Sequence, residues 1–110
     1  MEIETKEYKR VTVVTVSGRV DSATAGEFEN QLKGLIEAGK TRIIVDMAEV
    51  EFLASAALRV LVTARKTVQG SGGDLVIAQP SQRVTDTLDI AGLDVLFKTY
   101  PDREAAIGAF

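Results

Sequence analysis

Asp46, Glu49 and Glu51 crowd into one short segment, and carboxylates so spaced could bind a divalent cation or exchange protons. They are expected to follow the third strand, at the carboxyl edge where open α/β sheets place their sites. That pattern admits a small metal-dependent enzyme. The plainer reading is favoured, with Asp46 satisfying loop backbone donors and the two glutamates forming a solvated edge. No histidine and no cysteine occur, which removes imidazole bases, thiolate nucleophiles, disulfides and nearly all zinc chemistry. Gly70-Ser71-Gly72-Gly73 has the composition of a phosphate-cradling loop but follows a helical pattern and precedes a strand. A phosphate loop needs strand, glycines, then helix, so this run reads as a connector, and no phosphate loop supports the further possibility of a nucleotide-binding sensor.

Ser55 differs from these. It falls where the loop from the third strand meets the second helix, the place of an N-cap, where serine stabilises a helix by about 0.5 to 2 kcal/mol over alanine. Ala54, Ala56 and Ala57 leave little bulk around it, so its hydroxyl is expected to be accessible to a docking protein surface.

The elements that must position these residues follow from patterning. A chain of 110 residues, 45% hydrophobic and 26% charged, has the size and composition of one folded domain. Its net charge of -3 gives no general attraction to phosphate backbones or anionic lipid, so neither nucleic acid nor membrane insertion is expected. The start Met1-Glu2-Ile3-Glu4 lacks the form of a secretion signal, and the cytoplasm is the expected compartment.

Val11 to Ser17 alternates as a strand, and a weaker strand over Ile3 to Tyr8 precedes it across the two-residue link Lys9-Arg10, an antiparallel hairpin. Phe28, Leu32, Leu35 and Ile36 recur at helical spacing, predicting a first helix from Ser22 to Ala38 with Asp21 or Ser22 as cap and Gly39 past its end. Ile43-Ile44-Val45 reads as a strand buried on both faces. A second helix is predicted from Ala56 to Gln69, with Ala57, Leu61, Ala64 and Val68 inward and Arg59, Thr63 and Lys66 outward. Leu75 to Ala78 gives another strand. Pro80-Ser81 opens a helix with Val84 and Leu88 inward and Gly92 as its stop. Val95 to Thr99 is predicted as the last strand, and Asp102 as the cap of a terminal helix.

The order ββαβαβαβα predicts an α/β fold with a mixed, mostly parallel five-stranded sheet and one antiparallel edge. Right-handed crossovers place the three connecting helices on one face, leaving open what covers the other. A phosphate-accepting receiver domain shares this layout but needs an acidic pair after its first strand, where this chain makes a hairpin.

The segment Asp46 to Leu61, with its aromatic Phe52 and the run Ala54-Ser55-Ala56-Ala57-Leu58, resembles the signature of the anti-sigma factor antagonists of the STAS domain family. Gly18-Arg19-Val20-Asp21-Ser22-Ala23-Thr24-Ala25 is similar to that family's other marker, a turn leading into the first helix. Gly72-Gly73-Asp74-Leu75 and Ile90-Ala91-Gly92-Leu93 occupy the places of later family patterns, so the resemblance spans nearly the whole chain. It implies a protein that is not itself an enzyme, needs no cofactor, and is acted on in a phosphorylation cycle. An anti-sigma factor that is itself a serine kinase phosphorylates the serine matching Ser55; the unmodified form binds that kinase and releases a sigma factor; a metal-dependent serine phosphatase resets the phospho-form. Ala54 stands where many members carry aspartate or serine, and Ala57 replaces the usual glycine.

The partner surface implied comprises Asp21, Ser22, Ala23 and Thr24 of the first turn, and Ala54, Ser55, Ala56, Ala57, Leu58, Arg59 and Val62 of the second helix, whose outer face is taken to include Leu58. The chain is expected to be a monomer or weak dimer. The alternative within the same fold is a constitutive accessory subunit, for example of a lipid-transport ATPase complex, without a phosphorylation switch.

Overall fold

In the computed structural model, which describes residues 1–110, the chain runs β1 (Glu2–Glu7), β2 (Thr12–Val20), α1 (Ala25–Glu37), β3 (Arg42–Leu53), α2 (Ser55–Gly70), β4 (Asp74–Ala78), α3 (Gln82–Ile90), β5 (Thr99–Tyr100), α4 (Arg103–Gly108). The five strands lie in the order β1-β2-β3-β4-β5, with β1 antiparallel to β2 and every other pair parallel. Element order, sheet and edge are those the patterning predicts.

Both sheet faces are buried, and strand alternation divides the side chains between them. Val14, Val16, Ile43, Val45, Leu75 and Ile77 join Phe28 of α1, Leu61 of α2 and Leu88 of α3 in the main core. Val11, Val13, Ile44, Val76 and Ala78 form a smaller cluster with Ala106 of α4, flanked by Tyr8, Tyr100 and Ile107. The second face is therefore covered by α4, whose first turn Asp102 caps by accepting the Ala105 N–H at 2.8 Å.

Four expectations need correction. The third strand is not confined to Ile43–Val45 but runs to Leu53, because its pairing with β2 continues, across two irregularities, as far as Val20↔Leu53. Gly18, at φ +85, sits at the second of these, where a β-carbon would be strained. Beyond Ala78, opposite Asp46, β4 no longer accompanies β3; the start of α3 does, through Ser81, whose N–H donates to the Met47 carbonyl (3.2 Å) and whose hydroxyl donates to the Val50 carbonyl (2.8 Å).

The first helix begins at Ala25, not Ser22, because residues 22–24 form a separate turn that Asp21 caps. The last strand is Thr99–Tyr100, not Val95–Thr99. Val95 is 89% exposed and belongs to a loop, while Phe97 fills the core. Finally, α2 starts at Ser55 with Ala54 as N-cap, so Ser55 is not itself the cap.

Candidate functional site

Ser55 is the first helical residue of α2 and is exposed. Ala54 before it is extended and offers no side-chain cap; its carbonyl accepts the N–H groups of Ala57 (3.0 Å) and Leu58 (3.1 Å). The earlier amides keep no intrahelical partner, as at any helix start, and no acidic residue occupies the first turn. The Ser55 hydroxyl makes no hydrogen bond within the chain. It is an accessible nucleophile at a helix end that favours negative charge.

The Asp21 turn stands beside it because β2 and β3 end in register. Val20 pairs with Leu53, and the Ala54 N–H donates to the Val20 carbonyl at 2.8 Å. Asp21 and Thr24 then hold each other: the Asp21 carboxylate accepts the N–H groups of Ala23 (3.0 Å) and Thr24 (3.2 Å), while Thr24 Oγ1 accepts the Asp21 N–H at 2.9 Å. Partial desolvation raises the Asp21 pKa, but hydrogen bonds from the Ala23 N–H and from the Thr24 hydroxyl and N–H, with the Arg19 charge, together outweigh it and hold the carboxyl below its ordinary value.

The structure brings most of the expected surface together and removes part of it. Ser22, Ala23, Ser55 and Arg59 are exposed, and Asp21, Thr24, Ala54, Ala56 and Val62 are half-buried. Leu58 and Ala57 face inward, 8% and 0% exposed, which corrects the placement of Leu58 on the outer face. Leu58 lies one turn before Leu61 and Val62 and joins the stripe that packs on the sheet. Ala57, in place of a glycine, is accommodated within that core.

Sequence reasoning missed two features. The Arg19 guanidinium lies over the Phe52 ring at 4.4 Å, a cation–π contact made possible because β2 and β3 pair Arg19 with Phe52. A furrow between the helices continues from Ser55, lined by Ala25, Gly26 and Glu29 of α1 and Ala56, Arg59, Val60 and Thr63 of α2. A strand register could have suggested the first; the second needs the packing of α1 on α2.

The acidic segment does not form a metal centre. Asp46, Glu49 and Glu51 all lie within β3, and no three acidic side chains converge closely enough to hold a metal ion. Asp46 accepts the nearby Ala48 N–H at 3.2 Å, a donor within β3 and not in a loop after it. Its main partners are distant in sequence: the Gln79 amide (2.9 Å) and the Arg103 guanidinium, whose Nη2 also donates to Thr15 at 2.8 Å. The Asp46 side chain is 2% exposed, so it ties α4 to the sheet and is closed to solvent chemistry. The hydrogen bond to Asp46 raises the Arg103 pKa, with desolvation opposing.

Comparison with known proteins gives the family and the fold. The family model of the STAS domain matches residues 2–106. The chain belongs to the STAS domain family. It is 30% identical over 98 residues to BtrV of Bordetella bronchiseptica, a candidate anti-sigma factor antagonist, covering 89% of this chain and 84% of that one. It is 26% identical over 94 residues to the anti-sigma-F factor antagonist RsfB of Mycobacterium tuberculosis, covering 86% and 76% of the two chains. The Bacillus cell fate determinant SpoIIAA has the same fold and has been solved in two forms. Its phosphorylated form superposes at TM-score 0.78, with 17% identity and 98% of each chain covered. The unphosphorylated form gives TM-score 0.84, 18% identity and coverage of 96% and 93%.

Proposed function

We propose that this STAS domain is an anti-sigma factor antagonist, a regulatory protein that binds a cytoplasmic anti-sigma factor and is switched off by phosphorylation of Ser55. The observation that carries the reading is the Ser55 hydroxyl itself: exposed, free of hydrogen bonds, and fixed beside the Asp21 turn. The antagonists among its relatives support the same role. The partner is an anti-sigma factor that also acts as a serine kinase, transferring a phosphoryl group from ATP to the Ser55 oxygen. A serine phosphatase reverses the step.

The physics of such a switch is favourable at this position. A phosphate adds about -1.5 to -2 charge, and a helix amino terminus stabilises it by about 0.3 to 1 kcal/mol. The modified domain stays folded. The same charge pressed against a partner surface that had closed over a neutral hydroxyl costs about 2 to 5 kcal/mol, which weakens binding by tens to thousands of times. Arg59, one turn further along α2 and in no ion pair, offers the partner a cation on the same face.

The relatives do not favour the constitutive accessory subunit, and the dispersed carboxylates lend no support to a metal-dependent enzyme. The deciding experiment is capture of partners from the native cell on wild-type protein, followed by incubation of the captured kinase with ATP. Mass spectrometry is expected to find one phosphate, on Ser55. Capture of a transporter ATPase, with Ser55 unmodified, would overturn the reading.

A further inference from the structure

At the opposite pole from Ser55, the link between β1 and β2 and the link between α1 and β3 enclose a second pocket of about 240 Å³. Its walls carry Lys9, Arg10, Lys40 and Arg42 against a single carboxylate, Glu7. Such a concentration of positive charge runs against a protein whose net charge is -3. We propose that this pocket is a binding site for a small polyphosphate-type oxyanion, gripped by Lys9, Arg10, Lys40 and Arg42.

The walls are fixed before any ligand arrives. The Tyr8 N–H donates to the Val11 carbonyl at 2.8 Å, closing a tight turn with Lys9 and Arg10 at its tip. Across the pocket, α1 ends in a left-handed Gly39 (φ +86), with the Lys40 N–H returned to the Leu35 carbonyl at 2.9 Å. This closure satisfies the last carbonyls of the helix, so they do not occupy the cations. Thr41 is pinned as well: its carbonyl accepts the Asp74 N–H at 3.0 Å, and a β-carbon on Gly73 would come within 1.8 Å of it. The Thr12↔Ile43 register holds the two links side by side.

Within these walls most of the donors are free. Lys40 pairs with Glu7, but Lys9, Arg10 and Arg42 are in no ion pair. The backbone N–H groups of Lys9, Arg10 and Thr41 have no partner within the chain. Clustered like charges repel one another within about a Debye length, roughly 8 to 10 Å at moderate salt, so the grouping does not serve stability. Edge-strand protection, a common use of lysine, could apply to the link after the edge strand β1 but does not account for Arg42. Arg42 opens β3, which lies at the centre of the sheet between β2 and β4.

The ligand class follows from charge and shape. Several cations lining one concavity, beside amides unpartnered within the chain, suit an anion with several charges, and arginine forks match phosphate oxygens in pairs. An extended polyanion or an anionic bilayer would meet the repulsion of the whole acidic molecule. A small one feels chiefly the pocket.

The test is titration of the full chain with sodium tripolyphosphate, followed by amide NMR shifts and calorimetry. Saturable binding is expected, with shifts confined to residues 7–12 and 39–42 and affinity falling as salt rises. The double variant Arg10→Gln/Arg42→Gln, whose fold is checked by circular dichroism, is expected to lose at least about tenfold in affinity, or about 1.4 kcal/mol. Lys66→Gln/Arg83→Gln, which removes the same charge elsewhere, is expected to bind as wild type. Glu7→Gln is expected to bind more tightly, since it releases Lys40 and removes the one opposing carboxylate. Non-saturating shifts through millimolar tripolyphosphate, equal losses in the two double variants, or shifts centred on Ser55 would overturn the site. Tighter binding to phosphatidic acid vesicles than to free tripolyphosphate would overturn the small-anion assignment.

Discussion

The Ala54 N–H donates to the Val20 carbonyl at 2.8 Å, joining the residue before Ser55 to the residue before Asp21. One hydrogen bond thus makes neighbours of two turns that lie a helix and a strand apart in sequence. The proposed switch and the proposed docking turn are consequently one surface.

Ser55→Asp is expected to unfold as cooperatively as wild type, since an acidic residue in the first helical turn is favourable. Its affinity for the anti-sigma kinase is expected to fall at least about tenfold, or about 1.4 kcal/mol. Ser71→Asp, at the other end of α2, should bind as wild type. Calorimetry of the three proteins decides, and equal affinities for all would sink the switch.

Arg59→Glu is expected to weaken the same complex without lowering the melting temperature, because Arg59 is exposed and unpaired in the free protein. Asp21→Ala acts through the turn and should weaken it too. Its effect carries a pH signature. The folded carboxyl is held below its ordinary range, so the contribution of Asp21 to the turn is present above the unfolded carboxyl's pKa and is lost as pH falls through the folded one. Protection factors of the Ala23 and Thr24 amides that fall in acid would reveal it, and protection unchanged across that range would contradict it.

Ser81→Asp is expected to destabilise the domain by about 1 to 3 kcal/mol, the cost of an unsatisfied polar pair. The Ser81 hydroxyl accepts the Val84 N–H at 3.2 Å and donates to the Val50 carbonyl at 2.8 Å. Aspartate keeps the cap but faces that carbonyl with a second acceptor. Urea unfolding measures the difference, and a mutant as stable as wild type would remove the role assigned to the bridge.

Ala54→Asp should stabilise α2 by about 0.5 to 2 kcal/mol, because it supplies the missing side-chain cap. A rise in melting temperature of about 4 °C or more per kcal/mol would register it. No rise would mean that the β3–α2 junction cannot adopt capping geometry.

Arg103→Met is expected to cost more than Asp46→Asn. Asp46 is 2% exposed and Arg103 34%, so loss of the arginine strands a buried carboxylate, at about 3 to 5 kcal/mol for a fully buried pair. Loss of the carboxylate leaves a guanidinium that water can reach. Thermal unfolding that ranked the two in reverse would show that α4 is held mainly by Ala106 and Ile107.

The alternating apolar strands, the helical stripes of α1, α2 and α3, and the glycines that stop them are local signals. They specify the order of elements, the parallel sheet with its hairpin edge, and Ser55 at the head of a helix. Each depends on residues a few positions apart, which is the range over which dihedral preference and periodic burial operate. Long-range register lay outside that range. The extension of β3 to Leu53 is set by β2 and by Ser81, and the shift of the cap from Ser55 to Ala54 follows from the tie to Val20. Leu58 turned inward because it lies one turn before Leu61 and joins the stripe of α2 that packs in the main core. Asp46 became a buried anchor only because α4, arriving from the far end of the chain, brings Arg103 across the second face. The carboxylate alone fixes neither partner, since the free energy of a buried charge is settled by what the fold places beside it.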